Sequence, residues 1–457
     1  MTRLNPTPWL ILAFLAVLTV ASRIHEYIAY SFFPFRHHPS SPAGTIIDTV
    51  VPVACTLIGQ LVIGYVADRY GRRAAMKLVV AGFLLPATVM FIGFLAAGRK
   101  SDVVRFCLVF GPILGGSEST VSFLALVLLH DEVKDFRQRS AFFYATGAVM
   151  LGFGVLATLT VANLFWHLPS GAVPGASIVC GVVGGVIAWR IGLGGDGEAE
   201  VEEGLLGGDA SAREATENDP LIPRTRPAGD DDAGRLEINE SSEIGFLGGY
   251  KKCVSEGGSE TWTVLGLFLL LGIPQVMAPL AWNYALTWHI IDLVRHSRAL
   301  LFWAPIISAA IVCITLPLLV WKGPWSERRL TLHVSQAGAV LFAVGALLIG
   351  FSRPLAVLVL GMVITALGSA TSLSILAFYV AHVDRALTGR TIMLVSAFGS
   401  VGQLLGIAGL YPAYMWGIKQ PSLAGGLPFY ICSGIYAAAA GVLFSRFKLS
   451  SNTVTLA

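Results

Sequence analysis

The feature that most constrains this chain is the alternation of long apolar runs with short charged segments. A helix needs about 20 apolar residues to cross a bilayer core, and that length divides the sequence into twelve candidate spans. Six are predicted near Trp9–Phe33, Thr45–Ala67, Ala74–Ala97, Val103–Leu129, Ser140–Phe165 and Gly171–Ile191. Six more are predicted near Thr261–Leu286, Ala299–Trp321, Leu332–Phe351, Leu355–Val380, Thr391–Trp416 and Ser422–Phe444. The spans are predicted to be helices, because the backbone N–H and C=O groups at an open sheet edge have no hydrogen-bond partner in lipid.

The composition excludes several other classes of protein. Only 13% of the 457 residues are charged and 55% are hydrophobic, whereas a soluble domain carries about 25% charged residues. A secreted, disordered or nucleic-acid-binding protein is therefore excluded. The six cysteines show neither metal-ligand spacing nor an extracellular pairing pattern, and no ATP-binding loop is present. We expect no metal, no cofactor and a gradient as the energy source.

A polar segment separates the twelve spans into two sets of six. Residues 193–243 hold 15 acidic side chains against 4 arginines, and such a composition cannot offset the entropy of ordering, so we expect disorder. The predicted domains are an N-terminal six-helix bundle (1–192), an acidic disordered cytoplasmic linker (193–260) and a C-terminal six-helix bundle with a short tail (261–457). The linker is either a regulatory or sorting segment, with 217–222 similar to an acidic dileucine signal, or a solvated connection.

The distribution of positive charge predicts the orientation. With both termini in the cytoplasm, the short inner segments hold 15 Lys and Arg residues and the outer segments hold 7. Because short cytoplasmic segments carry the excess of positive charge, we expect both termini inside a multi-pass membrane protein. The plasma membrane is the expected location, and the vacuolar membrane is the alternative.

One string after the second span, residues 64–73 (GYVADRYGRR), combines an acid with a cationic cluster. Gly64 would let another helix approach closely, and Gly71 would permit a tight turn. Asp68 places a carboxylate at the membrane surface, where charges can bind neighbouring helix ends in one conformation and release them in another. The cationic residues are Arg69, Arg72 and Arg73. An isolated basic loop that only fixes topology is the simpler interpretation.

The spacing of this string resembles the signature loop between helices two and three of the major facilitator superfamily, at every fixed position of G-x-x-x-D-R-x-G-R-R. The resemblance implies a fold of twelve transmembrane helices in two pseudo-symmetric six-helix bundles. It also implies that Asp68, Gly71, Arg72 and Arg73 belong to a cytoplasmic gate. Arg23-x-x-Glu26, Phe33-Pro34-Phe35 and 426–429 (GLPF) are similar to fungal members of the drug–proton antiporter branch.

Charged side chains inside the spans are the candidates for binding protons or substrate, since each costs a few kcal/mol at the bilayer centre. Arg23 and Glu26 share a helix face and can partner each other, and Glu118 is expected near the middle of the fourth span. Each acid either exchanges a proton or forms a fixed ion pair. Arg105 either reaches the membrane interface or enters the cavity.

The preferred function is a secondary transporter that moves a small organic solute by alternating access, with proton-coupled efflux of a drug-like or secondary metabolite. The alternatives are a proton-coupled importer of an organic nutrient and a transport-like sensor that signals through the linker. A membrane enzyme ranks last, because only His130 and Asp131 come near an acid–histidine pair. Asp131 is instead expected in a charge network on the gate side.

Overall fold

The computed structural model describes most of the chain. The described residues are 6–32, 42–97, 111–164, 172–207, 246–256, 258–277, 298–322, 327–352, 354–380, 383, 387–418 and 426–447. Arg105 and residues 208–245 lie outside them, and so do the side chains of Glu26 and of residues 192–207.

The described residues form helices throughout the apolar runs. In the first half these are α1 (Thr7–Phe32), α2 (Pro42–Arg69), α3 (Arg72–Ala97), α4 (Glu118–Glu132), α5 (Phe136–Leu164) and α6 (Ala172–Gly207). A short helix, α7 (Phe246–Glu256), precedes α8 (Gly258–Gly272), which continues into a single 3-10 turn (Ile273–Val276). The second half continues with α9 (Arg298–Lys322), α10 (Glu327–Gly350), α11 (Leu355–Leu367), α12 (Thr371–Val380), α13 (Thr388–Ile418) and α14 (Leu427–Arg446).

The helices confirm the predicted fold class. Eleven stretches among the described residues are long and apolar enough to cross a membrane, and a shorter apolar stretch, Ile306–Val320, lies within α9. Together they correspond one to one with the twelve predicted spans. The chain is an all-α polytopic membrane protein with six spans on each side of the polar linker.

Each half packs mainly on itself. In the first half, α6 packs against α1 and α3, and in the second half α10 packs against α11 and α14. The most extensive contacts between the halves are those of α2 with α13 and of α5 with α9. Most of the buried apolar side chains of both halves form one continuous core. We call the side of the bundle where α2 meets α3 and where α13 begins the basic face, because Arg69, Arg72 and Arg390 lie there.

The fourth span is broken, which differs from the prediction of one continuous helix. A turn over 114–117 interrupts it, with Gly115 at a φ of 86° and with the Gly116 N–H donating to the Gly111 carbonyl at 2.8 Å. Glu118 therefore lies at the first residue of α4 rather than in the middle of a helix. The tenth span, the counterpart in the second half, is also broken, between α11 and α12.

Two stretches of the segment 193–260, which was expected to be disordered, have helical backbone among the described residues. The backbone of α6 remains helical to Gly207, and most of residues 198–206 are Glu or Leu, which are good helix formers. The segment Phe246–Glu256 forms α7, because Phe246, Tyr250 and Cys253 recur at helical spacing and give it an apolar face. Tyr250 and Cys253 are buried.

Candidate functional site

The signature string forms the corner between α2 and α3. The N–H of Tyr70 donates to the Val66 carbonyl and the N–H of Ala74 to the Gly71 carbonyl, at 2.9 and 3.2 Å. Gly71 has a φ of 86°, a left-handed conformation that glycine adopts without strain. This tight corner places the carboxylate at the end of one helix close to the arginine at the start of the next.

Asp68 joins the two halves of the molecule. Its side chain is only 3% exposed, and Arg72 Nη1 donates to its Oδ1 at 2.5 Å. The backbone N–H groups of Gly389 and Arg390 donate to the same carboxylate, at 3.0 and 2.8 Å. These N–H groups belong to the first turn of α13, where a helix has unsatisfied donors and a positive dipole end. A carboxylate of the first half therefore caps a helix of the second half.

Arg72 extends this network within the first half. Its Nε donates to Asp131 Oδ2 at 2.6 Å, so one guanidinium contacts an acid at the end of α2 and another at the end of α4. The sequence placed Asp131 in a charge network on the gate side, and its partner in the structure is an arginine 59 residues away. Arg69 points elsewhere: it is exposed, and its Nη1 donates to the Tyr65 hydroxyl at 2.5 Å. Arg73 lies in the first turn of α3.

Arg390 is a member of this site that the sequence reasoning missed. It is almost fully buried, its Nε lies 3.8 Å from Asp68 Oδ2, and its guanidinium lies over the ring of Tyr65 at 5.3 Å from the ring centroid. The signal that could have found it is the preceding Gly389, because a Cβ there would overlap the Asp68 carboxylate. We call the cluster of Asp68, Arg72, Asp131, Gly389 and Arg390 the gate, after the role proposed for it below.

Gly64 lies one turn further into the bundle on α2. A Cβ at this position would come within 2.8 Å of the Met393 Cβ and the Tyr250 hydroxyl. The absence of a side chain at Gly64 therefore allows α13 and α7 to pack directly on the α2 backbone.

A second cluster lies deeper in the first half, at the break in the fourth span. Arg23 of α1 contacts Glu118, with Nη2 at 2.8 Å from Oε2 and at 3.1 Å from Oε1. The structure thus pairs Arg23 with an acid 95 residues away, and the Glu26 side chain lies outside the described residues. The side chains of Arg23 and Glu118 are 34% and 16% exposed, so the ion pair is accessible and not sealed in a core.

The start of α4 stabilises a negative charge at Glu118. The Ser117 hydroxyl accepts a hydrogen bond from the Thr120 N–H at 3.3 Å and caps the helix. Because a helix N-terminus carries a partial positive charge, it favours an ionised carboxylate in the first turn. Two groups therefore favour the ionised form of Glu118: the Arg23 guanidinium and the positive end of the α4 helix dipole.

A chain of polar side chains connects this break to the second half. Gln60 of α2 donates from Nε2 to the Ser119 hydroxyl at 3.3 Å, and its Oε1 accepts from the Ser400 hydroxyl of α13 at 2.9 Å. Gln60 is fully buried and was also missed. Its signal in the sequence is an isolated amide within the apolar run of the second span, since a buried polar group needs a partner.

Comparisons with known proteins agree with this architecture. The family model of the Major Facilitator Superfamily matches residues 10–407. No curated protein matches this chain.

Two kinds of solved structure share its fold. The human organic anion transporter MFSD10 (TETRAN) is 16% identical, with 96% of this chain and 100% of that chain covered and a TM-score of 0.62. The proton:xylose symporter XylE, bound to 6-bromo-6-deoxy-D-glucose, is 12% identical, with 96% and 95% covered and a TM-score of 0.66. At these identities the likeness shows the fold alone. With a family model that covers most of its length and a twelve-span helical fold, this chain belongs to the major facilitator superfamily.

Proposed function

We propose that this chain is a proton-coupled secondary transporter that exports a small organic solute by alternating access. The observation that carries the proposal is the accessible Arg23–Glu118 ion pair at a broken helix, within a bundle whose halves are tied together at one face. Broken helices whose free backbone lies near the membrane midplane provide binding sites in many transporters. Charged side chains within spans are costly and are retained for such work.

Glu118 is the proposed proton-binding group. In its ionised form it holds Arg23 at 2.8 Å. The ionised carboxylate can also bind a polar or cationic group of the solute, and a proton that neutralises Glu118 removes that attraction. Proton and solute thus compete for one carboxylate, which is the requirement for exchange between them.

The gate supplies the second requirement, a barrier that can open and close. Asp68 holds α2 of the first half against the N-terminus of α13 of the second half, so this contact has to separate when the halves rock apart. The excess of Lys and Arg in the loops of the basic face supports a cytoplasmic location for that face and for both termini. The bundle described above is then the form that is closed toward the cytoplasm, in the plasma membrane.

The test is transport by the purified protein in sealed liposomes under an imposed pH gradient. The probe solutes are benzoate, an organic anion, and ethidium, an aromatic cation, and trapped pyranine reports proton movement. Glu118→Gln keeps the size of the side chain but cannot exchange a proton. It should lower gradient-driven accumulation at least about tenfold, since hydrogen bonds to charged groups contribute about 1.5–3 kcal/mol, while solute-for-solute exchange persists.

The matched control is Glu260→Gln, which removes an exposed carboxylate in the first turn of α8 and should leave transport unchanged. Full gradient-driven accumulation by the Glu118→Gln variant would contradict the proposed coupling. The relative direction of solute and proton movement distinguishes export from import. Solute and proton moving in opposite directions support export, and movement in the same direction supports import.

A further inference from the structure

The short helix α7 contacts both partners of the α2–α13 pair. The Tyr250 hydroxyl donates to the Leu61 carbonyl of α2 at 2.5 Å. The ring of Phe246 packs edge-on against the ring of Tyr65, with centroids 5.2 Å apart. These contacts attach α7 to the first half, although the chain runs directly from α7 into α8 of the second half.

The backbone of α7 also packs against Arg390 of the gate. A Cβ at Gly249 would overlap the guanidinium of Arg390, so the α7 backbone lies directly against that side chain. The ring of Tyr65 lies over the same guanidinium, and the Asp68 carboxylate lies 3.8 Å from its Nε. Arg390 is thus held between an acid, an aromatic ring and the backbone of α7.

The burial of α7 is one-sided, which indicates a docked helix. Tyr250 is 8% exposed and Cys253 is buried, whereas Leu247 is 78% exposed. Burial raises the pKa of the Tyr250 phenol, and the nearby Asp68 carboxylate adds to this effect. The phenol therefore stays protonated, and remains a hydrogen-bond donor, throughout the neutral pH range.

We propose that α7 is a third component of the gate, a latch in which Tyr250 and Gly249 hold the closed basic face and have to leave α2 before that face can open. The inference rests on the proposed function in one respect, that α2 and α13 separate during the cycle. It goes beyond it by giving α7, the short helix between the two halves in sequence, a part in holding the gate closed. Tyr250 and Gly249 are positioning residues for Arg390.

The test uses Cys253 as a reporter and needs no substrate. In the full chain, Ala replaces the other cysteines, Cys55, Cys107, Cys180, Cys313 and Cys432, and the rate of maleimide labelling of Cys253 is measured in lipid nanodiscs. Tyr250→Phe removes only the hydroxyl that bonds α2 and should raise the rate about three- to tenfold, the effect of one neutral hydrogen bond. Leu247→Ala, on the exposed side of α7, is the matched control and should leave the rate unchanged.

Two further variants separate a latch from a merely structural contact. Asp68→Asn weakens the gate without touching α7 and should also raise Cys253 labelling, because the latch and the gate open together. Gly249→Ala should do the same by displacing Arg390. Labelling rates for Asp68→Asn and Tyr250→Phe equal to that of Leu247→Ala would overturn the latch. Failure of proton coupling in the liposome assay, with labelling still linked to Asp68, would overturn the proposed transport mechanism and leave the latch standing.

Discussion

The two broken spans occupy corresponding places in the two halves, yet they differ in chemistry. In the first half the break precedes α4, which begins with Glu118 facing Arg23. In the second half the break lies between α11 and α12, and Leu355–Val380 contains no charged residue. There, the Thr371 hydroxyl donates to the Gly368 carbonyl at 2.7 Å and the Ser374 hydroxyl to the Ala370 carbonyl at 2.8 Å.

The backbone of the two breaks differs as well. Gly115 in the first break has a φ of 86°, whereas Gly368 in the second has a φ of −77° and a ψ of −4°, a conformation open to any residue. In the second break, Thr and Ser hydroxyls donate hydrogen bonds to the carbonyls of the break itself. The first break presents a charged side chain and a turn with a left-handed glycine. The difference teaches that one fold element, present in both halves, can hold an ion pair in one half and only neutral hydroxyl groups in the other.

The largest expected effect tests the charge difference. Arg23→Gln should lower gradient-driven flux at least about tenfold, and the double variant with Glu118→Gln should be no worse than the poorer single variant, because both changes remove one ion pair. At the second break, the Tyr144 and Ser374 hydroxyls lie 3.0 Å apart. Tyr144→Phe should lower flux by no more than about threefold, as expected for a neutral hydrogen bond.

The measurement is the liposome assay described above, with exchange activity as the check for folded protein. Additive losses for Arg23→Gln and Glu118→Gln would mean that the two side chains act separately. A loss for Tyr144→Phe as large as that for Arg23→Gln would remove the distinction between the two breaks.

A smaller effect is expected from the backbone of the first break. Gly115→Ala should lower the free energy of unfolding by about 1–3 kcal/mol, from the left-handed φ and from overpacking. A Cβ there would lie 2.8 Å from Ile63 Cγ1. Gly409→Ala is the control, because a Cβ at Gly409 meets nothing within 4 Å. Thermal melting in detergent compares the two, and equal melting temperatures would show that the turn is not constrained.

The smallest expected effect concerns the helix cap. Ser117→Ala removes the hydroxyl that accepts from the Thr120 N–H and should cost about 1 kcal/mol of stability. Ser369→Ala changes an exposed serine in the second break and should cost less than about 0.5 kcal/mol. The same melting experiment measures both variants. A larger loss of stability for Ser369→Ala than for Ser117→Ala would contradict the conclusion that the Ser117 cap stabilises the first break.

Much of the fold could be predicted from the sequence because lipid imposes a single length on every apolar helix. The spans, their number and the corner at Gly71 followed from that length and from one motif. The breaks were not predicted, because a hydropathy pattern carries no φ angle and does not say which glycines of 111–117 and 368–370 interrupt a helix. The α7 helix was missed because an acidic composition was extended over all of 193–260, although Phe246 and Tyr250 already marked an apolar face.

The candidate site was predicted only where its members lie close together in the sequence. Asp68 and Arg72 share one string, so their contact could be anticipated. Arg23 was expected beside Glu26 because local spacing favours such pairs, and its observed partner Glu118 is distant in sequence. Arg390 was counted only as a charge that fixes topology. Long-range pairs depend on how whole helices pack, and one sequence contains little information about that packing.

The cap on α13 has a consequence for how gate opening can be observed. The N–H groups of Gly389 and Arg390 donate hydrogen bonds to a carboxylate that belongs to the opposite half. When the halves separate, these two amides lose that acceptor and become exposed to water. The rate of deuterium exchange at these two amides therefore reports how often the halves separate, even when no solute is present. Two backbone hydrogens at the start of one helix can thus be used to follow the opening of the gate.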